Sequence, residues 1–171
     1  MGAVSLSFEP VRWPDDAPDV VEFLTANEWP FHGTARLTRE QAASVPFSGD
    51  DVVSFWVRAD GATVGLLRVF DLSDLEVGSP LLDIRLAEGV RGNGVGTAAV
   101  RWLTSHLFET YPELMRIEAT TRDDNVAMQT VFDRCGYRQE GHLVEAWVSA
   151  DGSRFDTLIY AVLRREWNQI T

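Results

Sequence analysis

Apolar and polar positions change period along this chain, and each change marks an element. Leu6 and Phe8 alternate with Ser5, Ser7 and Glu9, which predicts a strand over Ser5 to Val11. Pro14, Asp15 and Asp16 break it. Val20, Phe23 and Leu24 then fall at helical spacing, and Asn27 is a stop signal. Thr38-x-x-Gln41 has the form of a capping box opening a short second helix. From Val52 the period returns to two: Val53, Phe55 and Val57 alternate with Ser54, Trp56 and Arg58. Asp60-Gly61 is a hairpin signal, with Thr63 to Leu72 as the returning strand. Leu75 to Pro80 reads as a loop, and Leu81 to Leu86 as a mostly apolar strand.

Val95, Ala99, Leu103 and Leu107 recur every four residues with Val100 beside them, a core-facing helix that Tyr111-Pro112 ends. Met115 to Thr121 is the next strand. Asp123-Asp124-Asn125 supplies capping chemistry for a helix whose Met128, Val131, Phe132 and Cys135 share one face, with Gly136 placed as its left-handed cap. Tyr137 to Val148 and Phe155 to Leu163 form a hairpin around Ala150-Asp151-Gly152. The order is strand, two helices, three strands, helix, strand, helix, two strands. It predicts one α/β domain over residues 1–171: a mixed sheet of about seven strands with flanking helices and a right-handed parallel crossover in the middle.

Between the strand at Leu81–Leu86 and the helix that follows lies Arg91-Gly92-Asn93-Gly94-Val95-Gly96. Three glycines in five residues remove the side chains at a strand-to-helix turn. Backbone N–H groups can then converge on an anion at the positive end of the helix. A plain glycine-rich turn gives the same spacing.

Composition narrows the anion. The chain has no lysine, all 15 basic residues being arginine, which excludes a lysine-bearing phosphate loop and Schiff-base chemistry. A net charge of −11 argues against nucleic acid as the main ligand. The same acidity fits a cationic substrate, or simple solubility. Cys135 is the single cysteine, and with His32, His106 and His142 widely spaced no metal site is expected. No apolar run approaches membrane-spanning length, and no targeting pattern opens the chain. The expectation is a cytoplasmic protein with no membrane partner.

Two families of glycine loop remain. Gly94-x-Gly96-x-x-Ala99 has the dinucleotide form, but it begins mid-chain and one β-α-β unit follows it, so the rest of that fold is missing. Arg91-x-x-Gly94-x-Gly96 instead resembles the pyrophosphate loop, Gln/Arg-x-x-Gly-x-Gly/Ala, of the Gcn5-related N-acetyltransferases (GNAT). Asn125, with the helix closing at Phe132-Asp133-Arg134-Cys135-Gly136-Tyr137, is similar to that family's next segment. Glu140 to Leu143, and Asp156 to Trp167, resemble the C-terminal hairpin of the RimJ/RimL type, which acetylates ribosomal-protein N-termini. The likeness is close over Leu81 to Trp167 and rests on element order before that.

The resemblance implies a GNAT-like acyl-coenzyme A N-acyltransferase fold and a cofactor site. Acetyl-coenzyme A as co-substrate, with no metal, would set its pyrophosphate on Arg91, Gly92, Asn93, Gly94, Val95, Gly96 and Thr97. Its pantetheine arm would run along Ile84 to Leu86, where a splayed sheet leaves backbone groups unpaired. Asn125 would bond the pantetheine, and Arg134 would approach the adenosine phosphates. An amine acceptor would attack the thioester directly. It could be a protein N-terminus, a polyamine, an aminoglycoside-like compound or another small amine. Trp29 and Phe31, in the loop Glu28 to Gly33, are candidates for its pocket, since aromatic faces can hold an amine. Asp83, Glu118 and His32 are the candidate general bases. Many members carry a tyrosine as general acid where this chain has Phe132, which motivates a second reading, a non-catalytic acyl-coenzyme A sensor or subunit. Dimers are common among relatives, so a homodimer stays open.

Overall fold

In the computed structural model, residues 5–73, 75–76 and 78–170 are described. Val77, within the loop expected at Leu75 to Pro80, lies outside them. The elements run β1 (Leu6–Pro10), α1 (Ala17–Ala26), α2 (Arg39–Ser44), β2 (Val53–Ala59), β3 (Ala62–Phe70), β4 (Leu81–Leu86), α3 (Val95–Thr110), β5 (Arg116–Arg122), α4 (Val126–Arg134), β6 (Arg138–Val148), β7 (Arg154–Leu163) and α5 (Arg164–Ile170). A single 3-10 turn, Glu88–Val90, precedes α3. The final helix was not expected from the pattern. Its first turn is held by the Glu166 carboxylate, which accepts the Leu163 N–H at 3.2 Å, and its Trp167 is buried.

The seven strands form one sheet in the order β1-β2-β3-β4-β5-β7-β6. Local chemistry fixes most of it. Asp60 and Gly61 both have positive φ, 48° and 84°, the type I′ geometry that joins β2 to β3. Thr38 and Gln41 form the expected capping box at α2. Gly136, at φ 76°, turns the chain out of α4.

Side chains alternate between two cores. Phe55, Val57, Leu67 and Val69 join Ala99, Leu103, Leu107 and Phe132 on the face covered by α3 and α4. Trp56 and Leu66 join Val20, Phe23, Leu24 and Trp29 beneath α1 and α2. Strands β2 and β3 are therefore buried on both faces. Their alternation divides one core from the other.

Strand β4 inherits the same alternation, and this prepares the site. Leu82, Ile84 and Leu86 pack against the α3–α4 core. Asp83 and Arg85 belong to the opposite face, where they register against Arg68 and Leu66 of β3. On its other side β4 pairs parallel with β5 at a single position, Leu81 with Glu118. Beyond that point no further pairing joins them among the described residues, so the strands part as they run toward the glycine loop.

A two-chambered candidate active site where the sheet opens

The gap between β4 and β5 opens at the N-terminus of α3. Gly92 and Gly94 take φ 79° and 83°, a left-handed conformation that side chains rarely adopt. Gly94 is the N-cap, and no side chain caps the helix. Ala98 N–H is the first to reach a carbonyl within the turn, Gly94 O at 3.1 Å. The N–H groups of Val95, Gly96 and Thr97 are left for an outside acceptor, at the positive end of a 16-residue helix.

A cavity of about 320 Å³ begins at these amides. It runs between Ile84 and Leu86 of β4 and Ala127, Met128, Val131 and Arg134 of α4. Gly96 lets the two helices close on it: a Cβ there would already touch Val131 Cγ2 at 3.4 Å and Leu86 Cδ1 at 3.5 Å. Asn125 lines the cavity while its Oδ1 accepts the Met128 N–H at 3.2 Å, so it caps α4 and faces the cavity at once. Met128 and Val131 were expected on the core face of α4. They are half-buried because that face looks into the cavity, and only Phe132 of this helix is fully buried.

A second cavity, about 350 Å³, adjoins the first. The two share Phe31, His32, Ile84, Asn125 and Met128. Arg68, Asp83, Arg85 and Trp147 line the second alone. Asp83 is at the centre of its polar wall. Its Oδ1 lies 3.0 Å from His32 Nε2, and its Oδ2 lies 3.2 Å from an Arg68 Nη2 and 3.4 Å from Arg85 Nε. Burial pushes the Asp83 carboxyl up. The hydrogen bond from His32 and the charges of Arg85 and Arg68 outweigh burial and hold it well below the usual carboxylate range. Against an ionised Asp83, His32 Nε2 is the donor, and in the neutral imidazole Nδ1 is then the nitrogen with the lone pair.

The loop bearing Trp29 to Gly33 is pinned at three carbonyls. Arg91 donates to Glu28 O at 2.6 Å, and also to Leu86 O at 2.9 Å. Arg122 donates to Pro30 O at 3.1 Å while its Nε and Nη2 grip the Asp124 carboxylate at 2.9 and 2.6 Å. The amide of Ala150, in the β6–β7 turn, donates to Gly33 O at 2.9 Å. Trp29 itself is buried, and its indole N–H donates to Leu24 O at 2.9 Å. The aromatic faces expected to hold an amine already carry guanidinium groups. Arg85 and Arg91 lie 5.3 and 5.7 Å from the Trp29 ring, and Arg122 5.5 Å from Phe31.

Of the residues singled out in the sequence, Trp29, Phe31, His32, Ile84, Leu86, Arg91, Gly92, Gly94, Gly96, Thr97, Asn125 and Arg134 come together around the first cavity, and Asp83 joins His32 in the second. Val95 is turned into the core. Asn93 lines neither cavity. Glu118 also lies apart, beside the one β4–β5 pairing, where Arg116 donates to it at 2.8 Å. Phe132 is buried against Tyr137 and Tyr160 and also lines the second cavity. Tyr137 bonds Thr104 at 2.8 Å inside the core, and burial raises its phenol. No tyrosine lines either cavity among the described residues. Arg68, Arg85, Arg122 and Trp147 went unmarked in the sequence. Asp83-x-Arg85 on an apolar strand was the available signal, since an i, i+2 pair shares one face.

A parted β4–β5 pair, a glycine-led helix N-terminus between those strands and a cavity running from it define an acyltransferase-type site, and sequence comparison agrees. Residues 6–138 match the acetyltransferase (GNAT) domain, and the chain belongs to that family. It is an N-acetyltransferase by family and fold. The chain is 24% identical over 167 residues to "Putative ribosomal N-acetyltransferase YdaF" of Bacillus subtilis (strain 168), covering 90% of this chain and 89% of that one. Mycobacterium smegmatis RimJ, solved in complex with CoA-disulfide, superposes with a TM-score of 0.74 at 24% identity, over 96% of this chain and 87% of that one. Spermidine N-acetyltransferase from Vibrio cholerae, in complex with CoA and spermine, does so with a TM-score of 0.75 at 18% identity, over 95% and 98%.

Proposed function

We propose that this chain, an acetyltransferase of RimJ/RimL type, transfers the acetyl group of acetyl-coenzyme A to a primary amine, with His32 moving the proton. The observation that carries this reading is the His32–Asp83 pair, 3.0 Å apart, with His32 on the wall common to both cavities. Coenzyme A occupies the first cavity. Its pyrophosphate meets the free amides of Val95 to Thr97, with Arg134 beside it and the pantetheine between Ile84 and Asn125. The relatives solved with CoA support that choice of co-substrate. The acceptor occupies the second cavity.

An amine attacks the thioester only when neutral. The acceptor enters as the neutral amine, its ammonium proton left to solvent; as its nitrogen attacks, His32 Nδ1 takes one N–H proton, and Asp83 stabilises the imidazolium that results. The amine nitrogen forms a bond to the acetyl carbon, the carbon–sulfur bond breaks, and the thiolate leaves with the electron pair. His32 then returns the proton to the sulfur. One imidazole at the junction serves as base and acid, so Phe132 need not donate.

The non-catalytic alternative draws on the absence of tyrosine from both cavity walls among the described residues. It predicts coenzyme A binding with no turnover. Coenzyme A release dependent on added amine separates the two. His32→Ala should lower kcat by about 10² or more, the usual contribution of a positioned base, with little change in coenzyme A affinity. A His32→Ala enzyme as fast as the wild type would remove His32 from the mechanism.

A further inference from the structure

We infer that the acceptor carries a carboxylate beside its amine, bound by Arg68, Arg85 and Trp147 in the second cavity. This deepens the acetyltransferase reading and rests on it. The first observation is charge. Arg68, Arg85, Asp83 and His32 are the ionisable groups lining this cavity, two guanidiniums against one carboxylate. A chain of net charge −11 has here a positive wall. Asp83 is spent: both its oxygens are engaged by His32, Arg68 and Arg85. Its charge is already matched by these partners, with which the ammonium of a polyamine would have to compete.

The second observation is independent of charge. Among the described residues, three buried side-chain polar atoms lack any partner: Arg68 Nε, Arg85 Nη1 and Trp147 Nε1. All three are N–H donors, and all three residues line this one cavity. Arg85 is only 8% exposed. Buried donors are paired almost everywhere in folded proteins, so three orphans around one chamber mark a missing acceptor. They belong to β3, β4 and β6, and Trp147 sits where the β6 register against β7 slips between Leu143 and Trp147. An amide oxygen would satisfy a donor but not the surplus charge. A planar carboxylate does both. The positive wall also favours the neutral, attacking form of the amine.

The carboxylate can be the α-carboxylate of a free amino acid or an acidic side chain next to a peptide N-terminus. The test compares acceptors that differ in that group alone. Glycine and alanine are set against glycinamide and alaninamide, and C-terminally amidated Asp-Ala against Asn-Ala, with spermidine and phosphoethanolamine alongside. Coenzyme A release gives kcat/KM, and calorimetry on the coenzyme A-saturated protein gives affinity. The carboxylate partner should win by about tenfold or more in one arm, and that arm names the source. Arg68→Lys keeps the charge but loses the planar donor. It should cut the preference below about threefold and leave the coenzyme A dissociation constant unchanged. Trp147→Phe should weaken the preference without unfolding the sheet. Turnover of amides, spermidine or phosphoethanolamine as good as that of the carboxylates overturns the inference and leaves the acetyltransferase reading standing. Tight carboxylate binding with no turnover of any amine does the reverse.

Discussion

Asp83 divides its two oxygens among three donors, and this makes it the residue on which the polar wall depends. Substituting asparagine keeps the shape and removes the charge. Arg68 and Arg85, on neighbouring strands, would then share one wall without the carboxylate between them. Breaking a buried ion pair from one side costs on the order of 3 kcal/mol, so Asp83→Asn should lower the denaturation midpoint clearly. It should also lower kcat, since an amide can present its NH2 to His32 and select the wrong tautomer. The pH dependence follows from the depressed carboxyl. Below its ordinary value of 3.8 the unfolded chain binds a proton that folded Asp83 resists. The unfolded state then holds more protons, so stability falls as the pH falls through that value toward the folded one. Asp16, Glu140 and Asp156 are shifted the same way, chiefly by a backbone hydrogen bond at Asp16 and Asp156 and by Arg116 at Glu140. The wild type should therefore lose stability steeply in acid. Asp83→Asn should show a shallower slope in that window, measured by denaturant titration at a series of pH values.

At the scale of elements, the parting of β4 from β5 leaves a helix N-terminus open to the first cavity. Gly94 supplies the left-handed N-cap and Gly96 the clearance. Gly94→Ala forces a side chain into a conformation that disfavours it by roughly 1–2 kcal/mol, and moves the amides it precedes. Gly96→Val acts differently, because its methyls enter the space between Val131 and Leu86. Coenzyme A affinity should fall by about tenfold or more in Gly96→Val, since a 1 Å misplacement in such a site is already costly. Calorimetry measures the affinity and thermal melts the stability. Equal loss of both would identify a packing glycine and no more. These elements were legible in the sequence because local chemistry fixes them: a 3.6 period in α3, a glycine-led turn, an asparagine before α4. The fate of Met128 and Val131 was not legible. A periodic apolar face reads the same whether it meets a core or a cavity, and only the opening of the sheet decides between them. The irregular register of β6, which brings Trp147 to the second cavity, likewise leaves no short-range signal.

Across the whole molecule, both chambers share one wall, and residues distant in sequence secure it. The loop from Glu28 to Gly33 was visible as an aromatic cluster, but its three anchors come from the glycine loop, the end of β5 and the β6–β7 turn. Contacts spanning 63 and 92 residues, Arg91 to Glu28 and Arg122 to Pro30, carry no local pattern. Net charge sums a surface, while the charge of the second cavity is set by which face of β3 and β4 two arginines occupy. The shared wall makes a prediction that single-chamber residues do not. Arg122 lines neither cavity, and its guanidinium lies 3.5 Å from the Phe155 ring centre as well as holding Asp124 and Pro30 O. Replacing it with glutamine loses the planar fork that bridges them. The loop should loosen as a unit, so that coenzyme A affinity and acceptor KM both worsen, by about threefold or more. Arg68→Lys, by contrast, should move the acceptor parameters alone, and Gly96→Val the cofactor affinity first. Measuring coenzyme A affinity by calorimetry and acceptor KM by steady-state release for these three variants tests whether the wall is common. If Arg122→Gln shifted one constant and spared the other, the two chambers would be independent, and His32 would belong to whichever constant moved.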